Sequence, residues 1–427
     1  MAEEGVSMVE AEACVVGSIL LDAGSFGRVS EYLRPDSFEL ETYRAIFVAA
    51  GELAAAGRPI DPLTVQDQAV KDGIALERNT LFQCMDLTIT SANDIEYAKI
   101  VADRAMRREL RLLAERILED VGTPARALLE RVSGQLDIMT RSNVGGRCLG
   151  SQEAMGNFLQ VLSECAEGKK NVVSSGYPKL DKLLGGGFLK SGLYILAARP
   201  GMGKTTVALN LADQIEGSVL FVSLEMSAEQ IAAKRVARKA GMTYHRLLNG
   251  ELRPEDESDW AKVAEATTAL AKSGVVVNKA LEASVTEIGL MARSVKNLSA
   301  VIVDYLGLIR PSKKGSRYEE VSAISGDLKR LAVALNVPVI ALCQLSRAAE
   351  QRQDKRPNLA DLRDSGSIEQ DADGVLLLYR GDYYEESADR KAWQPSLIEC
   401  SIAKNRHAGT GKVYFNGYLP VCRVEEI

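Results

Sequence analysis

Nine consecutive residues, Ala198-Arg199-Pro200-Gly201-Met202-Gly203-Lys204-Thr205-Thr206, constrain this chain more than any others. They follow the apolar run Gly192-Leu193-Tyr194-Ile195-Leu196-Ala197 and open a stretch of helical spacing. A strand, a glycine-bearing turn and a helix in that order form a phosphate-binding loop, with one departure: Ala198 stands where the first glycine usually sits. Glycines let backbone N–H groups curl around phosphate oxygens, and the following helix aims its positive end at them. Arg199, Pro200, Gly201, Met202, Gly203, Lys204, Thr205 and Thr206 are therefore assigned to a nucleotide. Lys204 reaches the β- and γ-phosphates of ATP, and the Thr205 hydroxyl ligates Mg²⁺.

Further short apolar runs lie at residues 219–222, 275–277, 300–303, 337–342 and 374–379, with helical stretches between them. Near-continuous apolar strands alternating with helices predict a mostly parallel sheet buried on both faces, with ligands beyond the carboxyl ends of its strands. Two acids stand at such ends. Asp304 follows the run 300–303, the place for a carboxylate that holds Mg²⁺ through water. Glu225 ends the run 221–224, where a carboxylate orients and deprotonates the attacking water. Each alone also reads as a solvated strand end; both, in this order after the loop, point to hydrolysis rather than binding alone. Ser227 and Gln230 have the spacing of a capping box, which places Glu225 in a strand-to-helix turn. Gln344 ends the run 339–343 and reads either as a polar cap or as an amide that senses the γ-phosphate.

Lys404 and Arg406 are two residues apart in Ile402-Ala403-Lys404-Asn405-Arg406, which puts both heads on one face of a strand. They read equally as a solvated strand end or as paired cations that stabilise a transition state, supplied from a neighbouring subunit. Two loops offer phosphate contacts: the basic stretch 310–317, and 361–367 with Arg363, Asp364 and Gly366. Neither interleaves aromatics, so no base-stacking platform is expected. Gly185-Gly186-Gly187 reads as a turn.

Before residue 177 the pattern is helical. Pro35-Asp36-Ser37 opens one helix carrying Phe47 and Leu53. Asp61-Pro62 opens another, which Gly73 stops. Residues 94–120 carry Ile95, Ala98, Val101, Ala105, Leu112 and Ile117 near helical spacing. Thr123-Pro124 breaks that helix before a second amphipathic one, so a helical hairpin is predicted. Met155, Phe158, Leu159 and Leu162 then form a stripe on a short helix, to be buried on its own domain or on a neighbour. Seven scattered cysteines without a Cys-x-x-Cys pair, only two histidines and no membrane-length apolar run point to the cytoplasm and against a zinc module. A net charge of −6 excludes a general basic coat but leaves local nucleic-acid contacts open.

The strings Phe221-Val222-Ser223-Leu224-Glu225-Met226, Val303-Asp304-Tyr305, Gln344-Leu345-Ser346-Arg347 and Leu362-Arg363-Asp364-Ser365-Gly366-Ser367-Ile368-Glu369-Gln370-Asp371-Ala372-Asp373 accompany the phosphate loop. With Gly17-Ser18-Ile19-Leu20 and Tyr97-Ala98-Lys99-Ile100-Val101 ahead of them, the chain resembles the DnaB-type replicative helicases, bacterial or bacteriophage, over nearly its full length. The resemblance implies a smaller all-α collar domain at 1–144, a linker with a docking helix at 145–176 and a RecA-like α/β motor domain at 177–427. It implies a homohexamer that encircles one DNA strand and moves 5′ to 3′ on ATP hydrolysis, with a primase and a helicase loader as partners. By the same resemblance Lys404 and Arg406 act in trans, and Arg363, Asp364 and Gly366 contact the DNA backbone. The family usually carries an Asn-Gly-Pro-Thr-Gly-like turn after the second cation, where this chain has His407-Ala408-Gly409-Thr410-Gly411. A RecA-like DNA-dependent ATPase or recombinase that does not unwind as a ring is the alternative. A nucleotide switch without motor activity fits the acids and the paired cations less well.

Overall fold

The computed structural model describes residues 8–144, 151–168, 170–253, 255–278, 281–311, 315–384 and 394–427. The chain separates into two compact units, Met1–Gln160 and Val161–Ile427. The division falls inside the helix Ser151–Ala166, within the segment read as a linker. Met155, Phe158, Leu159 and Leu162 of that helix are 59%, 58%, 61% and 53% exposed, so the stripe is not buried within this chain. Among the described residues no helix is long and apolar enough to cross a membrane.

In the first unit, helices pack around Ile19, Phe38, Ile46, Leu53, Leu81 and Val101. Asp61 caps the helix Pro62–Lys71 by accepting from the Leu63 and Thr64 N–H groups at 2.8 and 3.0 Å, as its sequence predicts. The segment opened by Pro35 behaves differently: Pro35–Ser37 is a separate 3₁₀ turn, and the helix begins at Glu41. Phe38, extended and fully buried, interrupts the two. The chain just ahead of the later helix is held from far away in sequence, because the buried Glu12 carboxylate accepts from the Glu39 and Leu40 N–H groups at 2.7 and 3.3 Å. Burial pushes that carboxyl up, against the pull of the two amides. The predicted hairpin is formed by Asp94–Glu119 and Ala125–Val144. Along its first helix Ala98, Val101, Ala105 and Leu113 are buried, Ala98 and Val101 in the core of the preceding helices, while Leu112 is exposed; the buried position falls one residue later than the apolar spacing suggested.

The second unit is built on a nine-stranded sheet. Its strands are β1 (Leu193–Ala198), β2 (Ser218–Ser223), β3 (Val275–Val277), β4 (Leu298–Asp304), β5 (Val339–Gln344), β6 (Gly374–Arg380), β7 (Ser396–Asn405), β8 (Gly411–Tyr418) and β9 (Arg423–Glu426). The order is β9-β8-β7-β6-β1-β5-β4-β2-β3. From β6 to β3 all neighbours are parallel, and β7, β8 and β9 add an antiparallel extension. The alternation of side chains explains the unbroken apolar runs. Tyr194, Leu196 and Ala198 enter one core layer with Phe221, Ile302 and Ile340, and Leu193, Ile195 and Ala197 enter the opposite layer with Val222, Val301 and Val303. Parallel pairing sets Ala198 opposite Gln344 and Ser223 opposite Asp304, which gathers the polar strand ends along one edge.

Candidate nucleotide site

The phosphate loop connects β1 to the helix Lys204–Gln214 at that carboxyl edge. Gly201 and Gly203 have φ of +78° and +90°, the left-handed region that a residue with a Cβ avoids. At Gly201 a Cβ would also lie 2.7 Å from the Tyr383 ring. Arg380, at the end of β6, donates to the Gly201 carbonyl at 2.9 Å. Arg199 leaves the loop sideways, donating to the Leu345 carbonyl at 2.7 Å and to Glu350 at 3.0 Å. Tyr383 and Arg380 thus join the site from the turn after β6. Sequence reading missed both, although Arg380 ends an apolar run just as Asp304 does.

Lys204 and Thr205 begin the helix. The Lys204 ammonium stands 5.0 Å from the centre of the Tyr305 ring. Burial pushes its pKa down, and the nearby Asp304, Cys343 and Glu225 partly offset this. Thr205 Oγ1 donates to Asp304 Oδ2 at 2.7 Å. Asp304 has no exposed surface, and its Oδ1 is buried without a hydrogen-bond partner. Burial raises the Asp304 carboxyl, while Thr205 and Lys204 pull it the other way. An orphaned carboxylate oxygen beside a threonine hydroxyl and an ammonium fits a hydrated divalent cation bound together with phosphates.

Glu225 lies two residues beyond the end of β2 rather than on the strand, and it is exposed. Ser223 ends the strand by turning its hydroxyl to Met226, accepting from its N–H at 3.0 Å and donating to its carbonyl at 2.6 Å. Asn278 braces the turn by bonding both the N–H and the carbonyl of Ser223. Ser227 and Gln230 form the capping box of the next helix. The Leu224 N–H donates to the Asp304 carbonyl at 2.7 Å, which ties the Glu225 turn to β4. Gln344, exposed at the end of β5, lines a cleft of about 710 Å³ with Tyr305, Arg317, Tyr318 and Arg347. Tyr305, the adjacent Arg317 and Tyr318, Arg347 and Arg199 meet there from four separate segments, which is why the grouping is not visible along the sequence.

Lys404 and Arg406 lie elsewhere. Because β7 runs antiparallel to β6, Lys404 pairs with Val375 and Asn405 with Gly374, at the amino edge of the parallel strands. Gly374 is in turn opposite Tyr194, at the start of β1. The phosphate loop follows the end of β1, whereas Lys404 is level with Ile195 and Arg406 lies beyond Tyr194, so both cations stand toward the opposite end of the sheet and two strands away from it. The His407-Ala408-Gly409 turn is held by Asn405, which accepts from the His407 N–H at 3.1 Å and donates to the Leu183 carbonyl at 3.2 Å.

The candidate DNA loop forms the 3₁₀ turn Leu359–Ser365 and the helix Gly366–Asp371. The side chains of Arg363 and Asp364, and the surroundings of Gly366, lie outside the described residues, as do residues 312–314 of the other basic loop. Asp361 anchors the turn: it is buried, accepts from Arg352 and the Asn358 N–H, and its carbonyl takes the Ser346 N–H at 3.1 Å. The segment after Gln344 is thereby bonded to the candidate DNA loop. In the basic loop, Arg310 pairs with Glu287 at 2.8 Å and Arg317 donates to the Gly307 carbonyl at 2.7 Å.

Residues 172–421 match the DnaB-like helicase C-terminal domain and residues 6–103 the DnaB-like helicase N-terminal domain. The replicative DNA helicase DnaB of Geobacillus stearothermophilus is 35% identical over 430 residues, covering 95% of this chain and 91% of the relative. That of Pasteurella multocida is 34% identical, covering 95% and 90%. A solved DnaB-like replicative helicase, described with its interactions with primase, superposes with a TM-score of 0.73 at 28% identity over 98% of this chain and 99% of that one. A second solved structure, an ATPase domain on its own, gives 0.58 at 33% identity over 64% and 98%. With both domain families matched in order and full-length relatives this similar, the chain belongs to the DnaB-like helicase family, the replicative DNA helicases, and is an ATP-driven enzyme.

Proposed function

We propose that the chain works as one subunit of a homohexameric ring that encircles a single DNA strand, moves along it 5′ to 3′ on ATP hydrolysis and separates the duplex at the replication fork. The observation that carries this is the placement of Lys404 and Arg406 at the sheet edge opposite the phosphate loop. Cations at the sheet end far from their own loop are available to a neighbour's loop, and a head-to-tail arrangement of that kind closes into a ring where the rotation between neighbours closes. The exposed stripe of the helix Ser151–Ala166 supplies a second surface for the adjacent subunit.

Within each site the backbone of residues 199–203 and the N-terminus of the helix Lys204–Gln214 cradle the phosphates of ATP. Thr205, and Asp304 through water, would hold a Mg²⁺ ion, which would supply charge neutralisation for the phosphates. Lys204 binds the same phosphates. Glu225, on its braced turn, orients the attacking water and takes its proton. The neighbour's Lys404 and Arg406 stabilise the charge that develops on the phosphoryl oxygens. Gln344 meets the γ-phosphate, and the bond from the Ser346 N–H to the Asp361 carbonyl passes its loss to the DNA loop. Arg363, Asp364 and Gly366 hold the strand by its phosphates, without reading sequence. A primase and a loader are the expected protein partners, and the cytoplasm is the expected compartment.

The deciding experiment is unwinding of a forked duplex with a free 5′ tail, in ATP and Mg²⁺. Strand separation that requires the 5′ tail is the expected result. DNA-stimulated hydrolysis in open filaments without strand separation would overturn the ring reading in favour of a recombinase. Arg363→Ala is expected to weaken single-strand binding and to lower the slope of log affinity against log salt by about 0.7, the contribution of one phosphate contact. An unchanged slope in a salt titration would move the DNA contact to other residues.

A further inference from the structure

Lys404 and Arg406 are held by the protein around them. Asp373, the residue before β6, is 3% exposed. Its Oδ2 accepts from the Leu193 N–H at 2.8 Å and from Lys329 Nζ at 2.6 Å, which fixes the carboxylate against the start of β1 and the helix Arg317–Leu335. Its Oδ1 faces Arg406 Nη1 at 3.4 Å and His407 Nε2 at 3.8 Å. Its backbone carbonyl accepts from the Arg406 N–H at 2.8 Å. Just before it, the Glu369 carbonyl accepts from Lys404 Nζ and the Gln370 carbonyl from Arg406 Nη2. Burial pushes the Asp373 carboxyl up, yet Lys329, the Leu193 amide and Arg406 outweigh burial and hold it below the usual carboxylate range.

Resting on the reading that Arg406 serves a neighbour's nucleotide, we propose that Asp373 is the positioning residue of the trans-acting cations. It fixes the Arg406 backbone and guanidinium at the amino edge of the sheet, while the carbonyls ending the helix Gly366–Asp371 set Lys404 beside it. Asp373 bonds Leu193 and Lys329 on one side and faces Arg406 and His407 on the other, so the carboxylate transmits the stiffness of β1 to a long side chain that otherwise samples many rotamers. The helix that supplies the carbonyls begins at Gly366, so the DNA loop and the cations belong to one continuous piece.

The test uses the full chain. Asp373→Asn keeps an acceptor for the Leu193 N–H and removes the charge that Arg406 faces. Its rings are expected to assemble and bind ATP normally, with turnover about 10- to 100-fold lower, the usual effect of removing a group that orients a catalytic side chain. Mixed rings with Glu225→Ala subunits, isolated through two different tags, are expected to turn over several-fold faster than either homomeric ring, because Glu225→Ala subunits lend intact cations to intact phosphate loops. A Lys329→Gln ring, which loosens one of the two anchors of the carboxylate but keeps the charge that Arg406 faces, is expected to lose clearly less turnover than Asp373→Asn. Normal turnover in Asp373→Asn overturns the proposal. So does a loss that the mixture does not rescue while Arg406→Ala mixtures are rescued, or an equal loss in Lys329→Gln, since both mark a merely structural role. Failure of rescue for Arg406→Ala as well overturns the trans reading itself. If Asp373→Asn does not assemble, Asp373→Glu, which displaces the carboxylate by one methylene, enters the same mixture with the same two outcomes.

Discussion

Lys204→Ala is expected to reduce ATP turnover by about 10³-fold, close to 4 kcal/mol of transition-state stabilisation. Lys204 sits at the helix start with Tyr305 on one side and the carboxylates of Asp304 and Glu225 within electrostatic reach. Burial already disfavours its charged form, so the ammonium has more to gain from arriving phosphates than a solvated lysine would. Without it, the phosphates lose the ammonium that begins the loop's helix and still face the Asp304 and Glu225 carboxylates. The stabilisation that ATP confers on the melting temperature is expected to be lost as well. Phosphate release in the presence of single-stranded DNA, with melting curves taken with and without ATP, checks both parts. Near-normal turnover would sink the assignment of the loop.

Arg406→Ala is expected to lower turnover by about 10³- to 10⁵-fold, the range seen for fingers that stabilise phosphoryl transfer. ATP affinity is expected to stay close to that of the unmodified chain, because Arg406 stands toward the opposite end of the sheet from its own phosphate loop and two strands away from it. Mixing with Glu225→Ala subunits supplies the sharper readout. In random rings about a quarter of the interfaces pair an intact loop and Glu225 with an intact Arg406, a consequence of head-to-tail contacts. Turnover should rise toward that fraction although neither parent is active. Rings containing both subunits that stay inactive would count decisively against action in trans.

The motor half was largely legible in its sequence. Buried parallel strands show as uninterrupted apolar runs, and β1, β2, β4, β5 and β6 fall within two residues of where those runs place them. Crossover connections return every such strand in the same direction, so polar residues ending successive runs are brought to one edge. That is why Lys204, Thr205, Asp304 and Gln344 were found together from spacing alone. The fit was looser at Glu225, because Ser223 closes a turn with its own hydroxyl and ends the strand early. It failed at Pro35, where a buried Phe38 separates the turn from the helix and the chain between them is held by Glu12, on another helix. Arg380 and Tyr383, and the Tyr305 and Tyr318 pair, come together only through contacts between distant segments.

Spacing along the chain put Lys404 and Arg406 together at a strand end, although the strand stops at Asn405, one residue short of Arg406; it also put a glycine-bearing loop after residue 198 and a helical half before a sheet. These are local properties, set by the period of a strand or helix and by what a glycine turn permits. The tertiary structure decided which edge of the sheet the two cations occupy. That depends on β7 pairing antiparallel with β6, and the direction of a strand is invisible in its own residues. The same pairing brings Asp373, Glu369 and Gln370 against the cations, and it separates them from the loop they would otherwise be taken to serve.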